Sequence, residues 1–358
     1  MAYTFENSVK VPYDILRDWT KAIYMAVGMS EQDAWICADA TAMADARGVY
    51  SHGCVRVAMY CSRMLQGGTS PTAQPSVIRE KGAMALVDGN NAMGQVVGTY
   101  GMKLAIEKAK ELGTAIVGIR GSGHFGTCAY YAEQALKEDM IGIAWTSGGP
   151  VMAVWGGVDR QMGNNPFCFA IPCGKKRPFV LDMAQSVVAR GKLVMHHKTN
   201  TPIAENWVLA PDGSPTTDID LALEGTLRPI GDYKGSGLAV MVSMITAVLT
   251  EAYVGGEMKD LYKQMGDPQN VGHYMQAIDI ASFTDVKAFK QRMDDYIDYL
   301  KFGGARNHGV EEILMAGEPE HNMYERQMAE GIDIPIEIIK EYHGLCDRFG
   351  VEKMVTLS

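Results

Sequence analysis

The chain has 358 residues, 47% of them hydrophobic and 21% charged, the make-up of a globular protein with a large core in two or three domains or one long interrupted one. Its net charge of -9 sets a field that repels nucleic acid and anionic membrane, so the expected partner is a small molecule or a second copy of the chain. No run approaches the roughly 18 apolar residues of a membrane span, and the first residues lack the pattern of a secretory signal. The seven cysteines include no C-x-x-C pair, which suits buried free thiols in a reducing cytoplasm.

Residues 13–27 and 30–46 read as helices, the second opened by Ser30 with Asp33 three residues on, a variant of the capping box. After Gly48 come Ser51, His52 and Arg56, and residues 56–65 read as a third helix. If that helix begins near Ser51, His52 and Arg56 share one face about a turn apart. The plain alternative is a capped helix with a surface arginine.

Past Pro71 and Pro75 the pattern turns to mixed α/β, with a strand over 83–87 and a helix over 99–112 ended by Gly113. Residues 114–150 follow as strand, glycine turn, helix and strand, with His124 in the turn. Turn-rich loops hold Trp155-Gly156-Gly157 and Gly163-Asn164-Asn165-Pro166. Short apolar runs at 167–171 and 179–181 read as buried strands, and 187–196 as a helix. Residues 197–229 are loop-rich, without a core of their own. Tyr233-Lys234-Gly235 opens the most hydrophobic helix, over 238–250, whose free N–H groups favour an anion. A strand over 270–280, an amphipathic helix over 282–300 and a charged helical tail over 319–358 complete the chain.

Gly121-Ser122-Gly123-His124-Phe125-Gly126 spells G-x-G-x-x-G, the dinucleotide fingerprint. It has a strand before it and a helix after it. The third requirement, an acid at the end of the next strand, fails: that strand runs into Thr146-Ser147-Gly148. His124 is also too large for a turn that must admit a pyrophosphate closely, so the spelling is read as coincidence.

Taken in order, Ser51-His52-Gly53 with Arg56, Ser122 to Gly126, Trp155-Gly156-Gly157 with Gly163 to Pro166, Asp182-Met183-Ala184 with Gly191-Lys192, Tyr233-Lys234-Gly235 and Gly317-Glu318 resemble the type 2 malate/L-lactate dehydrogenase family, which includes ureidoglycolate dehydrogenase and diketogulonate reductase. The resemblance spans about residues 30 to 318. It implies an α/β fold that binds NAD or NADP without a Rossmann domain, a mixed sheet with a helical domain formed by both chain ends. The implied parts are a helical region over 1–75 that packs with a tail over 319–358, around a cofactor- and substrate-binding region over 76–318. A homodimer is the family habit.

By resemblance, Ser51 and His52 correspond to the proton-transfer pair and Arg56 to the clamp on a substrate carboxylate. His124 corresponds to a histidine at the nicotinamide, the proton acceptor in some members, with Phe125 and Gly126 beside it. Asp182, Met183, Ala184, Tyr233, Lys234, Gly317 and Glu318 correspond to cofactor contacts, and Lys192 to a substrate or cofactor contact. Asn164 stands where threonine is usual, Ala316 where proline is, Gln185 where threonine is frequent, and Gly148 replaces a common hydroxyl. Asn164 and Gly148 fall at the substrate pocket, so these departures bear on substrate identity.

The chemistry fits the residues. Oxidising a 2-hydroxy acid needs a base that titrates near neutrality, a planar fork for the carboxylate and a cofactor to take the hydride. A cyclic imine carboxylate reductase or a ureidoglycolate dehydrogenase would use the same residues. A metal-dependent hydrolase has little to build on, since H-E-x-x-H is absent and the adjacent His196 and His197 point about 100° apart on a helix. A non-catalytic nucleotide binder is the remaining alternative, which intact His52 and Arg56 argue against.

Overall fold

In the computed structural model, which describes residues 5, 7–198 and 201–357, strand β1 (Ser8–Val11) leads into helices α1 (Tyr13–Ala26) and α2 (Glu31–Ala46). The Ser30 hydroxyl accepts the Asp33 N–H at 3.1 Å and starts α2 where the sequence signals it. α1 buries Leu16, Trp19, Ile23 and Tyr24, the stripe of a helix with one apolar face. Two 3-10 turns, Tyr50–His52 and Cys54–Arg56, precede α3 (Val57–Gln66). The helix expected over 56–65 is present as α3, but it does not begin near Ser51: the non-helical backbone of Gly53 separates the turns, so His52 and Arg56 are not successive turns of one helix.

β2 (Ser76–Lys81) is exposed along its whole length, so no apolar alternation announces it; it pairs with β3 (Met84–Asp88). α4 (Gly94–Leu112) begins earlier than its periodicity suggests, because its first residue is a glycine that abuts another loop. A Cβ at Gly94 would lie 2.5 Å from the carbonyl oxygens of Gly123 and His124. β4 (Thr114–Ser122) is followed by only one turn of helix, α5 (Ala129–Ala132), and a 3-10 stretch where one longer helix was expected. β5 (Met140–Thr146), β6 (Phe167–Ile171) and β7 (Phe179–Met183) come next, then α6 (Arg190–Lys198), β8 (Val208–Leu209), α7 (Ile219–Glu224) and β9 (Thr226–Leu227). α8 (Tyr233–Ser243) runs into a π-helical turn, and β10 (Val271–Asp279), α9 (Val286–Phe302), α10 (Glu318–Glu330), β11 (Ile332–Pro335) and α11 (Ile336–Phe349) complete the order.

The main sheet has seven strands in the order β2-β3-β4-β10-β5-β6-β7, and of its pairings only β3–β4 is parallel. β10 lies between β4 and β5, antiparallel to both. β4 and β5 thus run parallel but are split by the antiparallel β10, so the glycine turn after β4 does not open a βαβ unit of neighbouring strands, and the fold is not a Rossmann domain.

β1 and β11 pair antiparallel, and Trp19 meets Tyr342 edge-on at 4.9 Å, so the first and last elements share one core. A second core fills the space between the sheet and α4, around Val117, Ile119, Met102 and Met275. A third gathers Met152, Val188, Leu193, Val208 and Leu227, which gives the loop-rich stretch a core borrowed from its neighbours.

Register brings distant loops together. Ser122 pairs with Val271, Thr146 with His273, and Phe167 with Met183. The ends of β4, β5 and β7 and the starts of β6 and β10 thus share one rim of the sheet. His124, Gly148, Asn164 and Asp182 all stand on it.

Candidate functional site

A cavity of about 500 Å³ opens between that rim, the turns after α2 and the start of α10. Ser51, His52, Gly126, Asn164, Asp182, Met183, Ala184 and Gly317 line it, together with Arg47, Cys128 and Glu320. The cavity therefore gathers residues from sequence fragments some 270 positions apart.

The loop carrying His52 is fixed from beneath. The buried Asp45 carboxylate accepts the Cys54 N–H at 2.7 Å, and burial raises its pKa to about 7. A Cβ at Gly53 would lie 1.8 Å from Asp45 Oδ1, so only glycine lets the loop pass this close. Gln327 on α10 donates to the carbonyls of Asp45 and Ala46 at 3.0 and 3.2 Å, tying the loop to the C-terminal helices.

His52 Nδ1 lies 2.9 Å from Ser51 Oγ, and Nε2 has no hydrogen-bond partner among the described residues. Burial, and then the positive charge of Arg56, lower the pKa of the ring to about 3, so it is neutral near pH 7. Arg56 Nε donates to the Ser51 carbonyl at 2.6 Å, and the guanidinium lies 5.7 Å from the Tyr262 ring centroid. Its two terminal nitrogens have no hydrogen-bond partner among the described residues.

His124 stacks on His52, with ring centroids 5.5 Å apart and planes 19° apart. It lines not the large cavity but a small one behind it, of about 10 Å³, with Tyr60, Arg63 and Gln269. Tyr60 Oη lies 2.7 Å from His124 Nδ1. Burial, then Arg56 and His52, hold His124 well below the usual histidine pKa. The buried His273 bridges Thr146 and Ser122 at 2.8 Å each and stacks on Phe125 at 4.3 Å, which fixes the turn that presents His124.

Asp182, one residue before the end of β7, is exposed to the cavity, with the protein closing around its carboxylate from beneath. It accepts the Ala129 N–H at 2.8 Å, and burial outweighs that bond to bring its pKa to about 6. Asn165, buried at a φ of 36°, accepts the Gly148 N–H at 3.0 Å and donates to the Ala239 carbonyl and Ser243 Oγ at 2.7 Å. That lock holds the neighbouring Asn164 at the cavity wall.

Other expected residues stand apart. Phe125 is packed between Tyr131 and His273 in the core. Glu318 pairs with Lys301 at 2.8 Å and accepts the Met315 N–H at 2.9 Å. Lys192 is exposed over the Trp207 ring at 4.7 Å, and Tyr233 and Lys234 are exposed at the start of α8; none of the three lines the cavity. Sequence reasoning missed Asp45 and Tyr60, whose only signal is a polar residue in an apolar helix pattern. It also missed Leu314 and Met315, which lead to Ala316, named only as a departure and laid along β7 by the bond from Val180 N–H to the Ala316 carbonyl at 3.1 Å. Among the described residues no group of three His, Cys, Asp or Glu converges as a metal site.

The profile of the malate/L-lactate dehydrogenase family matches residues 11–342. The chain is 37% identical over 360 residues to a malate dehydrogenase of Pyrococcus horikoshii, covering 98% of each. The solved structure of malate dehydrogenase from that organism superposes with a TM-score of 0.90 at 36% identity, over 98% of this chain and 99% of the other. The (2R)-3-sulfolactate dehydrogenase (NADP(+)) of Chromohalobacter salexigens is 33% identical over 88% of this chain and 92% of its own. The ureidoglycolate dehydrogenase (NAD(+)) of Escherichia coli O157:H7 is 29% identical over 92% of this chain and 94% of its own.

Proposed function

The chain belongs to the malate/L-lactate dehydrogenase family, and on that premise we propose that it is an NAD(P)-dependent oxidoreductase of small 2-hydroxy acids, malate- or lactate-like, with His52 as its proton-transfer group. The observation that carries the assignment is a neutral imidazole, held by Ser51, that opens onto the large cavity beside an arginine with unpaired terminal nitrogens.

The cavity has the size of a small-molecule site, a class that spans roughly 300–1,000 Å³. The Asp182 carboxylate on its wall suits a ribose hydroxyl, and the space beside Gly126 is open. These residues fit a nicotinamide cofactor, with Gly126, Asp182, Met183, Ala184 and Gly317 as its walls. When bound, the cofactor supplies the hydride acceptor that no side chain provides.

The protein's own part is positioning and proton transfer. Arg56 takes the substrate carboxylate with its free nitrogens. The proton of the substrate hydroxyl passes to His52 Nε2, while Ser51 holds Nδ1; in the reverse direction His52 returns it to the oxygen. Because Arg56 is one cause of the low His52 pKa, pairing of Arg56 with the carboxylate raises the ring's proton affinity as substrate binds. Asn164, which lines the same cavity as His52, selects among 2-hydroxy acids.

A homodimer in the cytoplasm completes the reading. Met244, Val248 and Leu249, 57%, 62% and 70% exposed, give the π-helical turn after α8 an apolar face that suits a second copy. Seven buried free thiols suit a reducing compartment. Among the described residues no helix is long and apolar enough to cross a membrane.

The assay is consumption of NADH or NADPH across a panel of 2-oxo acids, followed at the reduced-nicotinamide absorbance. Turnover is expected with at least one four- or three-carbon 2-oxo acid. Silence with both cofactors across the panel would overturn the reading.

A further inference from the structure

Among the described residues the His124 ring has one hydrogen-bond partner, and that partner decides where its proton sits. Tyr60 Oη is 2.7 Å from Nδ1. Tyr60 is 3% exposed on α3, and burial keeps its phenol protonated far above neutral pH. A phenol O–H is a good donor and its ring-conjugated oxygen a weak acceptor, so it gives its proton to the basic nitrogen within reach, here Nδ1.

The ionisable groups acting on His124 all disfavour its charged form. Arg56 and His52 face it from the loop after α2, and His273 faces it from β10. Arg63 and Tyr60 line the small cavity at its back, beside Gln269, whose Oε1 is 3.4 Å from the His124 N–H. No carboxylate stands among these groups. A neutral imidazole that accepts at Nδ1 carries its hydrogen on Nε2.

We propose that Tyr60 is a positioning residue that locks His124 as an Nε2–H donor beside His52, and thereby leaves proton transfer to His52. The proposal rests on the dehydrogenase reading for its consequence: a His124 held neutral with Nδ1 occupied does not compete with His52 for the substrate proton.

The test reads the tautomer directly and without cofactor. Nitrogen-15 labelled histidine in the full chain, followed by long-range proton–nitrogen correlation spectra, distinguishes Nε2–H from Nδ1–H; His124→Gln assigns the signal. The wild type is expected to show His124 as Nε2–H across neutral pH. In Tyr60→Phe the ring is expected to populate both tautomers and to take up a proton at higher pH, because a bond that favoured the neutral form is gone. Turnover of Tyr60→Phe should fall by up to about tenfold, the worth of one neutral hydrogen bond, with NADH binding nearly unchanged. An Nδ1–H tautomer in the wild type would overturn the proposal, as would a Tyr60→Phe protein with the wild-type tautomer and titration. Failure of the dehydrogenase reading looks different: the wild type would be silent with every 2-oxo acid while the tautomer spectra stood.

Discussion

His52 and His124 stand 5.5 Å apart, ring to ring, on two loops built in opposite ways. The His124 loop is spelled as a motif, with a glycine on each side at positive φ and a strand that delivers it to the rim of the sheet. The His52 loop spells nothing; it is two short turns pinned by one buried carboxylate and one obligatory glycine. Yet His52 is the one that opens onto the 500 Å³ cavity, and His124 lines only the 10 Å³ space behind. A glycine-rich spelling marks where backbone approaches backbone closely, which is a packing requirement before it is a ligand requirement.

That contrast can be broken most severely at Gly53. Gly53→Ala places a methyl 1.8 Å from Asp45 Oδ1, so the loop must move and His52 with it. Activity should fall by on the order of 10²–10⁴, the range of a positioned acid–base group, with a stability loss of about 1–3 kcal/mol by urea denaturation. Near-normal turnover would mean that the loop does not set the site.

Arg56→Lys tests the fork beside His52. The charge stays, but the planar pair of donors is lost. KM for the 2-oxo acid should rise about 10–100-fold, the loss of roughly 1.5–3 kcal/mol for hydrogen bonds to a charged group, while NADH binding holds. An unchanged KM would move the carboxylate elsewhere.

The smallest effect is a matter of pH. The free ring of His52 is held at about 3 by burial and by Arg56. A base with a lowered pKa stays unprotonated, and active in oxidation, until pH falls through that lowered value. Once the substrate carboxylate offsets Arg56, the pKa rises, so the acid limb of kcat should lie at higher pH than that of kcat/KM. Coincident limbs would show that substrate does not shield the ring from Arg56.

The resemblance carried by short fragments reached the family, and eight of the residues it named line one cavity. Local pattern also placed α1 and α2, the cap at Ser30, and the failure of the dinucleotide fingerprint. Other features were hidden for identifiable reasons. β2 has no buried face, so it has no alternation to read. The early start of α4 depends on Gly94 meeting the backbone of Gly123 and His124, a contact between segments some 30 residues apart that no local window contains. Asp45 looked like one more polar residue in an alanine-rich helix; its role appears only when Cys54 turns back onto it. The exposed lysines 192 and 234 matched the pattern of the family, yet their side chains lie outside the cavity lining, a matter of loop placement that motif spacing does not encode.

The central claim is that the proton moves through the histidine that faces the cavity and not through the one in the motif. The most direct measurement sets His52→Ala beside His124→Ala, with turnover on the best 2-oxo acid and NADH binding followed for both. The account predicts a loss of about 10³-fold or more for His52→Ala with binding nearly intact, and a loss nearer tenfold for His124→Ala. Surviving turnover in His52→Ala, with abolished turnover in His124→Ala, would contradict it and assign the proton to His124.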